Sequence, residues 1–333
     1  GDLSHASICF SRDERFAFVF GRDGGLTKLD ILEARIAARV VQGGNSIGGA
    51  ISDDGKLVAV SNYEPGGVRV FDADTLGLVA DVPAISAAAA KSKTVGLVDI
   101  PGRAFVYALY DAGEIWRLQM PEGEEPRLTR LANVGKLPYD GNVTADGRHY
   151  FAGLFGEDGV AHVDLWKEPL KAERVLDGYG KGEQPLPVYK MPHLEGWGST
   201  QSKLFLPAVG HDETLVIDLG TLKETGRVKM HGQPVFAVAQ PDGRHVWVNF
   251  AHPKNDVVQV IDALSLEIVK TLIPGPAVLH LEFTSRGHEC WVSARDSDAV
   301  IIYDSRSFAE KSRIRARKPS GIFFTARAHM IGK

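Results

Sequence analysis

The sequence predicts an all-β protein, an eight-bladed β-propeller of four-stranded antiparallel blades, with a seven-bladed ring as the alternative. Three observations lead there. A turn–strand–turn–strand cassette returns seven times, with a basic or histidine anchor at Arg15, Lys56, Arg103, Arg148, Lys203, Arg244 and His288 and spacings of 41, 47, 45, 55, 41 and 44 residues. A period of roughly 40–50 residues built from short strands is the size of one propeller blade. Third strands end on an aspartate and a tight turn, as in Val70-Phe71-Asp72, Val216-Ile217-Asp218, Val260-Ile261-Asp262 and Ile302-Tyr303-Asp304. Finally, Thr-Ser-Arg-Gly at 284–287 is echoed 41 residues later by Thr-Ala-Arg-Ala at 325–328.

Taken in chain order, the inner strands are expected at Ser7–Phe10, Gly48–Ser52, Val95–Asp99, Asn142–Ala145, Gly198–Gln201, Phe236–Gln240, Leu281–Thr284 and Ile322–Thr325. The last of these is the inner strand of the eighth blade. Its outer strands would come from a segment preceding residue 1, which would close the ring and remove a sheet edge. Each cassette opens on a turn such as Ser52-Asp53-Asp54-Gly55-Lys56, and three third strands continue as Asp-x-x-Thr/Ser-Leu. An aspartate there bonds the backbone two residues on and fixes the hairpin, so these aspartates read as structural. Two connectors break the rhythm, the alanine-rich Pro83–Ala90 and the Gly/Pro-rich Gly178–Pro187; long connectors in a terse repeat are candidate lids.

Composition narrows the function. The 333 residues suit one domain over 1–333, and the net charge of −4 with no long basic run leaves nucleic-acid binding without an electrostatic footprint. No run of 18 apolar residues is present to span a membrane as a helix. The two cysteines, Cys9 and Cys290, lie in apolar strands and read as buried free thiols; without CxxCH there is no covalently held c-type haem, and without CxxC no cysteine-rich zinc site. The chain starts beside a strand without methionine, so any export signal or lipid anchor is expected in a missing N-terminal part.

A propeller places the connector entering strand one and the loop between strands two and three on the same face. Six of the 11 histidines fall there: His5, His193, His231 and His280 in or beside entering connectors, and His211 and His252 in two–three loops. Arg22, Tyr63, Lys93, Tyr110, Asp111, Tyr139, Asp140, Trp197 and Arg295 join that face. Histidines, cations and aromatics converging on a channel mouth suit a flat anionic ligand such as a carboxylated tetrapyrrole, with histidine for iron, Arg or Lys for carboxylates and aromatic rings for its faces. A set of merely polar loops is the rival reading. Asp99 ends an inner strand where sister blades carry small residues; it is either a proton-transfer group of raised pKa or an acceptor for the following turn.

The opening, His5-Ala6-Ser7 through Phe18-Val19-Phe20-Gly21-Arg22-Asp23-Gly24 and Leu29-Asp30, resembles the haem d1 domain of cytochrome cd1 nitrite reductases. Ser46-Ile47, Tyr63-Glu64-Pro65 and Asp111-Ala112-Gly113-Glu114-Ile115 resemble it too. That domain is an eight-bladed propeller whose histidine at this point is the proximal iron ligand, so the resemblance implies His5 on a haem iron. These 333 residues hold no CxxCH of the reductase's cytochrome c domain, and Pro185-Leu186-Pro187 stands where the reductase has Pro-His-Pro, so nitrite reduction is not the expected activity. Proteins departing in this way look like the NirF family of haem d1 biogenesis.

What this implies is a periplasmic protein, lipid-anchored in some members, that binds haem d1 or a dihydro-haem d1 precursor as substrate or product. The expected cofactor-binding set is His5 on the iron with Arg22, Tyr63, Lys93, Tyr110, Trp197, His211, His280 and Arg295. The expected catalytic pair for a late side-chain oxidation or dehydrogenation is Asp99 and His193. Electrons would leave to a redox partner such as a c-type cytochrome. Cytochrome cd1 nitrite reductase and other biogenesis proteins are the expected protein partners, and the propeller rim is open to a homodimer. The alternatives are a non-catalytic haem d1 carrier and a protein-interaction propeller.

Overall fold

The computed structural model describes residues 6–180, 196–208 and 210–325. Among these, 28 strands form seven four-stranded antiparallel sheets, and the one helical element is a single 3₁₀ turn at Arg295–Ser297. The chain forms two compact units, one from Gly1–Asp177 with Thr325–Lys333 and one from Gly178–Phe324.

The first unit holds four sheets. They are β1–β4 (Ser7–Phe10, Phe16–Phe20, Gly25–Asp30, Arg35–Val41), β5–β8 (Asn45–Ile51, Leu57–Glu64, Val68–Asp72, Leu78–Val82), β9–β12 (Thr94–Ile100, Ala104–Leu109, Glu114–Gln119, Arg127–Leu131) and β13–β16 (Pro138–Val143, His149–Leu154, Val160–Asp164, Ala172–Val175). The second holds three. They are β17–β20 (Gly198–Ser199, Lys203–Pro207, Glu213–Asp218, Lys223–Lys229), β21–β24 (Pro234–Ala239, His245–Phe250, Val258–Asp262, Ile268–Leu272) and β25–β28 (Val278–Phe283, Glu289–Ala294, Ala299–Asp304, Glu310–Arg315). Within the first unit β1 lies beside β5, β5 beside β9 and β9 beside β13; within the second, β17 lies beside β21 and β21 beside β25. First strands gathered side by side, with later strands radiating outward, are the blade arrangement of a propeller.

Burial follows that arrangement. β9 and β10 are buried along their whole lengths, while the outermost β28 is exposed along all of its length. Apolar side chains on facing sheets fill the gaps between blades: Phe18 and Phe20 pack with Val58 and Val60, and Ala59 and Val70 pack with Leu97, Phe105 and Trp116. In the second unit Phe205 and Val216 pack with Val246 and Phe250, and Trp247 with Leu281, Phe283 and Val292. A four-stranded sheet cannot bury two faces alone, so each blade depends on its neighbours.

The predicted turn chemistry is present. Ser52 Oγ donates to Asp54 Oδ1 at 2.5 Å and accepts from Leu57 N at 3.0 Å, while Asp54 Oδ1 accepts from Lys56 N at 3.0 Å. Thr144, Asp146 and Arg148 repeat this turn. At the third-strand ends Asp72 accepts from Thr75 N at 2.8 Å and Asp304 from Ser307 N at 2.7 Å. Asp30 and Asp164 instead receive the guanidinium groups of Arg15 and Arg148, each at 2.8 Å, which hold both carboxyls below the usual range.

Seven of the eight inner strands form, within a few residues of their predicted bounds. Residues 322–325 are not a strand; there Ile322 N donates to His280 Nδ1 at 3.1 Å. The described residues therefore build the seven blades of the alternative count. Both cysteines are free, Cys290 buried and Cys9 half-buried.

One buried polar pair was not anticipated. His149 Nδ1 and His162 Nε2 are 2.9 Å apart on β14 and β15, their rings packed beside Phe151. At this distance one imidazole donates and the other accepts, which two neutral rings satisfy, and each further proton would add a positive charge inside the sheet. Burial lowers both pKa values, that of His162 to about 4.

Candidate functional site

In the first unit the turns between second and third strands, the ends of the second strands and the connectors entering β9 and β13 share one end of the blades. Arg22 lies in the β2–β3 turn, Tyr63 near the end of β6, Lys93 just before β9, Tyr110 just after β10, and Tyr139 and Asp140 at the start of β13. The structure brings these together. The hydroxyls of Tyr63 and Tyr139 share a hydrogen bond. Tyr139 packs edge-on against Tyr110 at 5.8 Å and against Phe155 at 5.3 Å between centroids. Lys93 Nζ lies 5.1 Å over the Tyr110 ring and 3.1 Å from Asp111. Burial pushes the hydroxyls of Tyr63, Tyr139 and Tyr110 above the ordinary phenol range, so all three are neutral donors.

Charge is unevenly answered in this cluster. Lys93 is neutralised by Asp111, through both its ammonium and its backbone N–H. Half-buried Arg22 has neither an ion pair nor a hydrogen bond among the described residues, and its charge is felt at the hydroxyls of Tyr63 and Tyr139. A guanidinium without a counter-ion among the described residues, close enough to be felt at two phenol hydroxyls, fits a carboxylated ligand, and the aromatic rings beside those hydroxyls suit a flat one. Phe155 completes the aromatic wall; it sits in the β14–β15 loop, and no pattern in the sequence marked it.

Glycines make this end possible. Gly96 lies at φ +61°, and a Cβ there would come within 2.4 Å of the Asp140 carbonyl oxygen; one at Gly141 would meet the Gly96 oxygen at 2.5 Å. The close approach of β9 to β13 puts Tyr150 under the site, its hydroxyl donating to Gly96 O at 2.9 Å.

Asp99 is not part of this cluster. It lies near the far end of β9 from Lys93, only 7 % exposed, and its Oδ2 accepts from Arg12 Nη2 at 3.1 Å. Arg12, from the β1–β2 turn, also bonds the carbonyls of Ile51 and Ser52, so the pair ties three blades together at the opposite end. His5 and His193 lie outside the described residues, as does most of the Gly178–Pro187 connector.

In the second unit the other candidates are separately engaged. His211 Nε2 donates to Gly180 O at 2.7 Å, and its ring lies 5.3 Å from that of Tyr179. Trp197 is buried just ahead of β17. His280 is buried on β25 between the edge of Phe236 and the face of Phe323. Arg295 pairs with its neighbour Asp296 at 3.0 Å.

Residues 1–328 match the family described as the cytochrome D1 heme domain. Over its whole length the chain is 56% identical to Protein NirF of Stutzerimonas stutzeri and to Protein NirF of Pseudomonas aeruginosa, covering 85% of each. It is 32% identical, over 95% of its length, to the dihydro-heme d1 dehydrogenase of Pseudomonas aeruginosa and spans 64% of that protein. Among solved structures, dihydro-heme d1 dehydrogenase NirN in complex with DHE matches with a TM-score of 0.82 at 30% identity, over 98% of this chain and 69% of that one. A functionally unknown protein from Desulfotomaculum acetoxidans shares the fold at a TM-score of 0.56 and 12% identity, over 95% and 87% of the two chains.

Proposed function

The chain belongs to the cytochrome d1 haem domain family and, within it, to the NirF family; from that premise we propose that it serves haem d1 biosynthesis by binding haem d1 or a dihydro-haem d1 precursor. The observation that carries this reading is the match to a related structure that holds DHE. Supporting it, Arg22 offers a positive charge unanswered among the described residues and felt at the hydroxyls of Tyr63 and Tyr139, against which Tyr110 packs. In this reading Arg22 takes a ligand carboxylate, the tyrosine edges flank the macrocycle, and His5 is the axial iron ligand.

The enzymatic form of the proposal is a late dehydrogenation of a tetrapyrrole side chain. Converting a CH2–CH2 unit to CH=CH removes two protons and two electrons. The electrons go to an external one-electron carrier of the c-type cytochrome class, and the protons need a base at the reacting carbon. His193 keeps that role in the proposal. Asp99 keeps a weaker claim, because it is ion-paired with Arg12 near the opposite end of β9 from Lys93.

That placement of Asp99 favours a second reading, a carrier that holds haem d1 and delivers it to the nitrite reductase. A periplasmic location belongs to both readings and is checked by fractionating cells that express the full-length protein.

The deciding experiment is a visible-absorption titration with haem d1, repeated on His5→Ala. A shifted spectrum that is lost or altered in the variant supports a tetrapyrrole site with His5 on the iron. Incubation with dihydro-haem d1 and an electron acceptor then separates the readings, since an enzyme converts the spectrum and a carrier leaves it unchanged. A folded wild-type protein that leaves the haem d1 spectrum unaltered refutes both.

A further inference from the structure

Asp140 lies in β13 at φ 54°, the left-handed region, where the register with β14 slips between Tyr139 and Asn142. Such a conformation is strained for a residue other than glycine and persists only where its surroundings impose it. The side chain is 5 % exposed, and its Oδ2 is buried without a hydrogen-bond partner. No ion pair reaches it among the described residues.

The groups facing it can be named from each neighbouring element. β13 itself supplies Tyr139, β14 supplies Tyr150 and β6 supplies Tyr63, and the charge of Asp140 is felt at all three hydroxyls. The charge of Arg22, from the β2–β3 turn, is felt at the Tyr63 and Tyr139 hydroxyls as well. At the β9 and β10 ends Lys93 and Asp111 answer each other, and Asp99 is held by Arg12 near the far end of β9. Among the described residues Asp140 is thus neighboured by phenols, and no cation touches it. A carboxylate in such a place costs several kcal/mol, whereas a carboxylic acid costs little. Burial accordingly drives the group well above the usual carboxylate range.

We propose that Asp140 is a specificity-determining acid of the ligand site, kept protonated so that Arg22 remains an uncompensated positive charge for an anionic ligand. Were Asp140 ionised, its negative charge would act at the same Tyr63 and Tyr139 hydroxyls that feel Arg22, and an incoming carboxylate would meet a like charge there. The ligand and the Asp140 proton are therefore linked. Binding of the anion holds the proton on, and loss of the proton at alkaline pH expels the anion. The identity of the ligand rests on the tetrapyrrole reading above; the stored proton does not.

Two measurements test this and fail separately. Infrared spectroscopy of the protein without ligand is expected to show the carbonyl stretch of a protonated carboxyl group near neutral pH, absent in Asp140→Asn and fading from the wild type at a defined alkaline midpoint. Absorption titrations with haem d1, and with a dicarboxylated porphyrin as a general probe, are expected to show affinity falling about tenfold per pH unit above that same midpoint. In Asp140→Asn, a neutral isostere, binding should persist and the fall should vanish. The proposal is overturned if the carboxyl band is missing from the ligand-free wild type, or if the affinity profile is the same in wild type and Asp140→Asn. It is overturned also if the infrared and affinity midpoints of the wild type differ, a comparison that needs no variant. Binding of neither macrocycle, with the band present, removes the ligand reading and the role built on it while leaving the stored proton established.

Discussion

Protonation of the His149–His162 pair should weaken the fourth sheet of the first unit in mildly acidic solution. In the folded protein the pKa of His162 is pushed down to about 4, first by burial and then by His149; in the unfolded chain it returns to about 6.5. Between those values the unfolded state binds a proton that the folded state refuses. Stability therefore rises with pH in this window and is lost as pH falls from about 6.5 toward 4. At pH 5 the two titration curves differ by about 2 kcal/mol. For a chain of this length that is about 3 °C in Tm, and about 5 °C if the first unit melts alone. The assay is thermal unfolding followed by far-UV circular dichroism at pH 7.5 and pH 5 for the wild type and His162→Gln, which keeps a hydrogen-bonding group beside His149 but cannot titrate. The variant should lose less Tm on acidification by this margin, whatever its absolute Tm. An equal loss in both proteins would refute the claim that the buried pair carries the acid sensitivity.

Other substitutions probe the site and the packing beneath it. Arg22→Gln should weaken haem d1 binding by about ten- to a hundredfold, the loss of one charge-assisted carboxylate contact, as read by absorption titration. Lys93→Gln should change it by less than about threefold, because Asp111 already answers that charge at a partly exposed position. Gly96→Ala forces a Cβ against the Asp140 carbonyl and the Tyr150 hydroxyl from a left-handed backbone; it should cost about 2 kcal/mol or more in denaturant unfolding and reduce ligand affinity together with stability. Trp116→Phe removes the indole N–H that Glu114 Oε2 accepts at 2.6 Å inside the third blade; leaving a buried carboxyl unsatisfied should lower stability by about 1–3 kcal/mol, measured the same way.

The blades were legible because their signals are local. A strand alternates over a few residues, and an aspartate that bonds the backbone two or three residues on does so whatever the rest of the chain is doing, as Asp72 and Asp304 show. The end of the blades that carries Arg22, Tyr63, Lys93, Tyr110, Tyr139 and Asp140 could be read for the same reason, since strand order alone decides which turns share an end. Asp99 stood apart from that set, as either a proton-transfer group or an acceptor for the following turn. Its unusual residue type was visible, but its partner Arg12 is 87 residues away and meets it only through packing of the first and third blades. His149 and His162 are 13 residues apart in sequence, and only the β14–β15 register brings their rings into contact.

The sequence by itself determined the secondary structure, the repeat, the turn chemistry and the family, because each is written in residues close together along the chain or in matches along its whole length. Only the tertiary structure decided which charges are answered. That, among the described residues, Lys93 is neutralised and Arg22 is not, and Asp140 is buried without a cation while Asp99 has one, depends on side chains converging from different blades. Burial then converts those distances into protonation states, because a charge removed from water must find a partner or give up its proton.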